Sequence, residues 1–160
     1  MKISRNLDLE HEHIDSNNAK NKSFGIVKSD WNHKITERLY NGCYSTLLQH
    51  GARKENIKTL NVPGSFELIY GGKKITEKSK LDAVILIGSI IRGETPHFDF
   101  ICNAVANGIK DLNIIFDIPF IFCVLTDLNR QQAIDRSGGK MGNKGSDSAL
   151  AAIKMITNVA

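Results

Sequence analysis

From Phe24 onward, short runs of consecutive apolar residues alternate with longer stretches in which apolar residues return every three or four positions. The short runs cover residues 24–27, 57–62, 81–87 and 119–125, and each predicts a β-strand. After the first, Ile35, Leu39, Cys43 and Leu47 recur at intervals of four, which predicts an amphipathic helix that Gly51 can end. Further helices are expected over residues 66–78, 99–112, 129–136 and 146–158, with a glycine-rich loop at 137–145. Pro63-Gly64 stops the second strand, and Gly88 reads as a turn that ends the third. Gly71-Gly72 weaken the second helix unless close packing or a functional contact favours them. The fourth strand is apolar throughout, the pattern of a strand buried on both faces.

Strands alternating with helices specify an α/β fold. The expectation is one domain over residues 23–160, a mainly parallel four-stranded sheet with helices on both faces in a flavodoxin-like three-layer arrangement. Residues 1–22 mix Asp, Glu, Asn, Lys and His without a sustained period and read as a flexible or peripheral N-terminal arm. His11, Glu12 and His13 lie in this arm. Three adjacent residues cannot all face one ion in a helix or strand, so a solvated tail is a stronger reading than a metal clip.

In an open parallel sheet the C-terminal strand ends line up along one edge, and ligands bind there. Each strand here is followed by an unusual loop. Trp31-Asn32 follows the first strand, Pro63-Gly64-Ser65-Phe66-Glu67 the second and residues 88–97 the third. Asp135-Arg136, Lys140 and Lys144 come one helix after the fourth. Aromatics, a carboxylate, a histidine and cations therefore converge on one rim. His97 stands at the end of the loop after strand three. An imidazole there can give and take protons near neutrality, or it can simply cap the helix that starts near Phe98. The loop alone does not separate the two readings.

A net charge of +4 invites a nucleic-acid reading, but the Lys and Arg residues are scattered, and aromatics form only 7% of the chain, too few for a base-stacking platform. Basic groups gathered at one anionic ligand fit better. No apolar run approaches the roughly 20 residues of a membrane helix, and no secretory signal opens the chain. Cys43, Cys102 and Cys123 are odd in number and far apart, which suits buried small residues or free thiols in a reducing cytosol and argues against a metal site.

Four segments, SDWN, VPGSFEL, GSIIRGETPHFDF and IDRSGGKMGNKG, occur in this order and spacing. Together they resemble the lumazine synthase (6,7-dimethyl-8-ribityllumazine synthase) family over about residues 23–158. The resemblance implies a transferase that condenses 5-amino-6-(D-ribitylamino)uracil with 3,4-dihydroxy-2-butanone 4-phosphate, releasing phosphate and water, in the penultimate step of riboflavin biosynthesis. It makes His97 the proton-transfer residue and Arg136 the phosphate ligand, a planar fork matched to phosphate oxygens. Glu94 and Thr95, with Gly93, would add backbone N–H donors and a hydroxyl for the same anion. Trp31 matches the position that stacks on the pyrimidine; a turn between Asp30 and Asn32 is an awkward place to bury a tryptophan. Ser65, Phe66 and Glu67 match pyrimidine and ribityl contacts, although core packing is the commoner role for a lone Phe. Ser89, Ile90 and Ile91 match a backbone edge that reads the uracil. Phe122 matches a position supplied by the neighbouring subunit. Lys144, and less strongly Lys140, either neutralises phosphate, bonds the pyrimidine carbonyl or solvates a loop. Asp135 either orients the Arg136 guanidinium or lies on a helix surface. No redox or carrier cofactor and no metal is required, because imine formation and elimination proceed by positioning and proton transfer.

The chain departs from the family pattern at Asp30, where a basic residue is common, and at Tyr70, where a proline often stands. Pro96 restricts Thr95 and stiffens the loop before His97. These changes bear on substrate affinity and remove no catalytic group. The resemblance further implies a homo-oligomer, a pentamer with active sites between subunits. The short 137–145 loop is compatible with packing into a 60-mer shell.

Overall fold

Phe24–Ser29 (β1) lies between two parallel neighbours, Ile57–Val62 (β2) and Ala83–Ile91 (β3), and β3 also pairs in parallel with Phe120–Asp127 (β4). The strand order is β2-β1-β3-β4. The computed structural model describes residues 15–158, so the His11-Glu12-His13 group lies outside the described residues. Every pairing in the main sheet is parallel, and the expected α/β architecture is present.

The two central strands bury both faces. Ile26, Ile85 and Ile87 point into one core, while Val27, Val84 and Leu86 point into the other. The first core is closed by His33–Gln49 (α1), through Ile35, Leu39 and Leu47, and by Lys144–Asn158 (α5), through Ile153. The second is closed by Leu68–Lys78 (α2) and His97–Ile115 (α3), through Leu68, Ile75, Val105 and Ile109. Removing one such side chain would cost about 2–5 kcal/mol, because a close-packed core relaxes only partly around the cavity. Gly71 takes its place for packing reasons: a Cβ there would lie 2.7 Å from Val27 Cγ1 and 2.8 Å from Val62 Cγ1. Its cost to the helix is the condition for α2 lying close against β1 and β2.

Several boundaries differ from the sequence expectation, each for a physical reason. Gly88 is not a turn; β3 continues through it to Ile91, and a Cβ at Gly88 would meet Ser65 Oγ at 2.6 Å. The glycine marks a close approach, not a chain reversal. α2 begins at Leu68, not at residue 66, so Phe66 and Glu67 belong to the turn. α3 begins at His97, with Pro96 before it, because proline's fixed φ and missing N–H suit a helix start. β4 is not buried on both faces. It is an edge strand, and Phe122 is 43% exposed. The glycine-rich loop folds into a small antiparallel hairpin, Ser137–Gly139 (β5) with Gly142–Asn143 (β6), after Arg130–Arg136 (α4).

That hairpin is fastened to α1. Asn143 Nδ2 donates to the Arg38 carbonyl at 3.0 Å, Asn143 Oδ1 accepts from Gly145 N–H at 2.8 Å, and Arg38 Nε donates to the Ser137 carbonyl at 3.0 Å. A Cβ at Gly145 would overlap the Leu39 carbonyl oxygen, and one at Gly42 would meet the Asn143 amide at 2.5 Å. From the N-terminal segment, residues 15–22 form turns against the end of α1. There Ala19 is buried and its N–H donates to the His50 carbonyl at 2.9 Å. No helix among the described residues is long and apolar enough to cross a membrane.

Candidate active site

The strand order changes direction between β1 and β3, and just beyond their C-terminal ends an open cavity of about 530 Å³ lies in the crevice. Four segments wall it. Trp31 comes from the β1–α1 turn, and Gly64, Ser65, Phe66 and Glu67 from the β2–α2 turn. Ser89, Ile90 and Ile91 come from the end of β3, and Gly93, Thr95, His97, Phe98 and Ile101 from the following loop and the start of α3.

Backbone bonds fix the first two walls to each other. The N–H of Asp30 donates to the Val62 carbonyl at 2.8 Å, and the N–H of Trp31 to the Pro63 carbonyl at 2.9 Å. Asn32 adopts a left-handed conformation (φ 56°, ψ 39°), which Asn tolerates better than most residues. Its side chain does not cap α1; Nδ2 donates instead to the Ser89 carbonyl at 2.9 Å. Held this way, the indole of Trp31 is 70% exposed and the ring of Phe66 54% exposed. Neither aromatic is a core residue, and both offer apolar faces to a flat ligand. The hydroxyls of Ser65 and Ser89 are buried and have no hydrogen-bond partner among the described residues.

His97 is exposed at the first position of α3, on the cavity wall. The loop before it is held at both ends. Arg92 N–H donates to the Asp127 carbonyl at 2.9 Å, and the Arg92 guanidinium reaches Asp99 at 3.4 Å and the Phe98 ring centroid at 5.5 Å.

A second group of polar residues stands apart from the cavity lining. Arg136 ends α4, and its Nη1 lies 3.6 Å from Oδ1 of Asp127, the last residue of β4. Burial pushes the Asp127 carboxyl above its ordinary range, against the opposing pull of the Arg136 charge. Asp135 turns elsewhere: Gln131 Nε2 donates to it at 2.9 Å and Lys140 Nζ lies 3.3 Å away. The Gln131 hydrogen bond, and after it Lys140, holds the Asp135 carboxyl below its usual value. The carboxylate facing the Arg136 guanidinium is thus Asp127, not its sequence neighbour. Lys144 Nζ pairs with Asp147 at 2.8 Å at the start of α5.

Of the residues singled out from sequence, the cavity brings together Trp31, Ser65, Phe66, Glu67, Ser89, Ile90, Ile91, Thr95 and His97. Glu94, Phe122, Arg136 and Lys144 do not line it. Phe98, Ile101, Asn32 and Asp127 were not singled out for these roles. Starting α3 two residues earlier would have put Phe98 and Ile101 on the His97 side of the helix. For Asp127 the available signal was a lone carboxylate closing an apolar strand. No group of three or more His, Cys, Asp or Glu suited to a metal ion occurs among the described residues. The cavity combines aromatic walls, main-chain edges, a carboxylate and one imidazole. Such a set can hold a flat, hydroxyl-bearing heterocycle and move protons at its edge.

Comparison with known proteins identifies the family. The family model described as 6,7-dimethyl-8-ribityllumazine synthase matches residues 21–160. The chain is 60% identical over 138 residues to the 6,7-dimethyl-8-ribityllumazine synthase of Flavobacterium johnsoniae, covering 86% of this chain and 73% of that protein. It is 58% identical over 139 residues to the protein of the same name from Christiangramia forsetii (86% and 83% covered). With its counterpart from Parabacteroides distasonis it shares 51% identity over 138 residues (86% of each).

Proposed function

The chain belongs to the 6,7-dimethyl-8-ribityllumazine synthase family of riboflavin-biosynthesis transferases, and on that premise we propose how its own residues divide the work. The reaction condenses 5-amino-6-(D-ribitylamino)uracil with 3,4-dihydroxy-2-butanone 4-phosphate, with loss of phosphate and water. The observation that carries the assignment of roles is the cavity at the β1–β3 crevice, which Trp31, Phe66, Glu67 and His97 all line.

The pyrimidine stacks on Trp31, with Phe66 as a second apolar wall. The main chain of Ser89, Ile90 and Ile91 reads the uracil edge, and Glu67 with Ser65 takes the ribityl hydroxyls. The amine then attacks the ketone, and the resulting carbinolamine must lose water to become an imine. His97 relays the protons that this step moves between nitrogen and oxygen. Phosphate departs as a dianion, which calls for a cation and oriented N–H donors. Arg136 supplies the cation, and the loop bearing Glu94 and Thr95 supplies the donors. No redox step and no metal enters this sequence.

Phe122, Arg136 and Lys144 lie outside the cavity lining of their own chain. We assign Phe122, Arg136 and Lys144 to the site of an adjacent copy, which makes the working unit a homo-oligomer. Exposed apolar side chains on α2 and α3, including Tyr70, Phe100 and Ile115, support burial against such a copy. The proposed unit is a pentamer, acting in the cytoplasm on small-molecule substrates.

The direct test mixes purified protein with both substrates and follows lumazine absorbance against a protein-free control, because the amine and ketone react slowly unaided. Enzyme-dependent product with phosphate released one for one supports the reading. No acceleration by assembled protein overturns it.

A further inference from the structure

The ion pair behind Arg136 has a form that packing alone does not explain. Asp127 closes β4 with its side chain only 5% exposed, and one of its carboxylate oxygens, Oδ2, has no hydrogen-bond partner among the described residues. A buried, half-satisfied carboxylate is costly, and a neutral residue of similar shape would fill the position more cheaply. Its one charged partner among the described residues is Arg136, whose guanidinium remains 37% exposed. A guanidinium carries five N–H donors, so pairing one nitrogen with Asp127 leaves the others available to a second anion.

The Asp127 backbone is tied into the sheet edge. Its main-chain carbonyl accepts the Arg92 N–H at 2.9 Å, at the start of the loop that leads to Thr95 and His97. It also sits opposite Ile91 in the β3–β4 register. The carboxylate is therefore a fixed point at the sheet edge, while Arg136 is the last residue of a seven-residue helix and needs an anchor. Asp135, the carboxylate adjacent in sequence, is already engaged with Gln131 and Lys140.

We propose that Asp127 is a positioning residue for phosphate recognition, anchoring the Arg136 guanidinium in the orientation that meets the phosphate of the butanone substrate. This rests on the reading of Arg136 as the phosphate ligand. Two effects oppose each other. The Asp127 charge repels a phosphate beyond Arg136, but the half-exposed guanidinium lies between the two and offsets that repulsion. Without the anchor, a side chain with four rotatable torsions must be ordered by the substrate itself. Anchoring wins, so loss of the carboxylate weakens phosphate binding.

The test is steady-state kinetics on the assembled full-length protein, with each substrate varied separately, for Asp127→Asn, Arg136→Ala and the double variant. Asp127→Asn should raise KM for the butanone phosphate on the order of tenfold and leave KM for the pyrimidine unchanged. In the Arg136→Ala background it should add nothing, because its effect runs through Arg136. Should Asp127→Asn fail to assemble, Asp127→Glu supplies the same split by shifting the charge one methylene. An unchanged or lowered KM for the phosphate substrate overturns the proposal, as does an equal rise for both substrates or full additivity in the double variant. If Arg136→Ala leaves the phosphate KM untouched, the phosphate role of Arg136 falls, and Asp127 falls with it. If Arg136→Ala raises that KM while Asp127→Asn does not, the positioning role alone is wrong.

Discussion

The side-chain amide of Asn32 donates to the main-chain carbonyl of Ser89 at 2.9 Å, joining the turn after β1 to the end of β3. The bond spans the crevice in which the cavity forms. It sets how far the Trp31 wall stands from the strand edge assigned to the uracil.

Asn32→Asp puts an acceptor against that carbonyl while keeping a residue that tolerates the left-handed backbone. The lost, partly buried hydrogen bond should cost about 0.5–1.5 kcal/mol of stability. Pyrimidine KM should rise with little change in KM for the phosphate substrate. Thermal melts and substrate-resolved kinetics check both, and an unchanged pyrimidine KM would show that the turn holds its place without Asn32.

His97→Ala removes the imidazole from the first turn of α3, and the exposed position predicts little structural cost. Turnover should fall about 10²–10⁴-fold, the usual range for a general acid–base group. Pyrimidine affinity, measured by calorimetry, should stay near wild type. Wild-type turnover in this variant would sink the proton-transfer role.

Gly145→Ala drives a methyl group into the Leu39 carbonyl, which is backbone and cannot swing aside. Strain of about 1–3 kcal/mol or more is expected. The segment bearing Arg136 and Lys144 is fastened to α1 at this point, so activity should fall along with the melting temperature. A variant as stable as wild type would mean that α1 and α5 can separate without penalty.

The buried Asp127 carboxyl predicts a pH signature in stability. Its folded-state value is raised above the ordinary 3.8, chiefly by burial. Below 3.8 the group is neutral in both folded and unfolded chains, and its contribution is fully present. As pH rises through the raised folded value, the unfolded chain ionises more readily and that contribution is lost. The melting temperature of Asp127→Asn should therefore gain on wild type as pH rises from the ordinary aspartate value toward neutrality. A difference that stays flat with pH would refute the sign.

The alternation of apolar runs and helical periods was enough to place four strands, five helices and both cores. Residues such as Ile35, Leu39 and Leu47 betray the buried face of α1 through spacing alone. The cavity was legible because its walls come from the segments that directly follow strands. What stayed hidden depends on contacts between distant residues. Gly88 looked like a turn because the Ser65 hydroxyl that excludes a side chain there lies on another loop. β4 looked buried because apolarity along a strand cannot tell a central strand from one at the exposed edge of a sheet. The Asp127–Arg136 pair, nine positions apart, exists only because α4 doubles back to the end of β4.

The chain holds a single tryptophan, and it stands on the cavity rim, not in either core. Intrinsic fluorescence excited at the indole band is therefore a built-in reporter of the site. A stacked pyrimidine should quench it directly, giving a titration that needs no label and no turnover. The same placement makes it a poor witness to folding. An indole already exposed to water changes little when the cores dissolve, so a flat emission trace on heating would not mean an intact protein, and circular dichroism must carry that measurement.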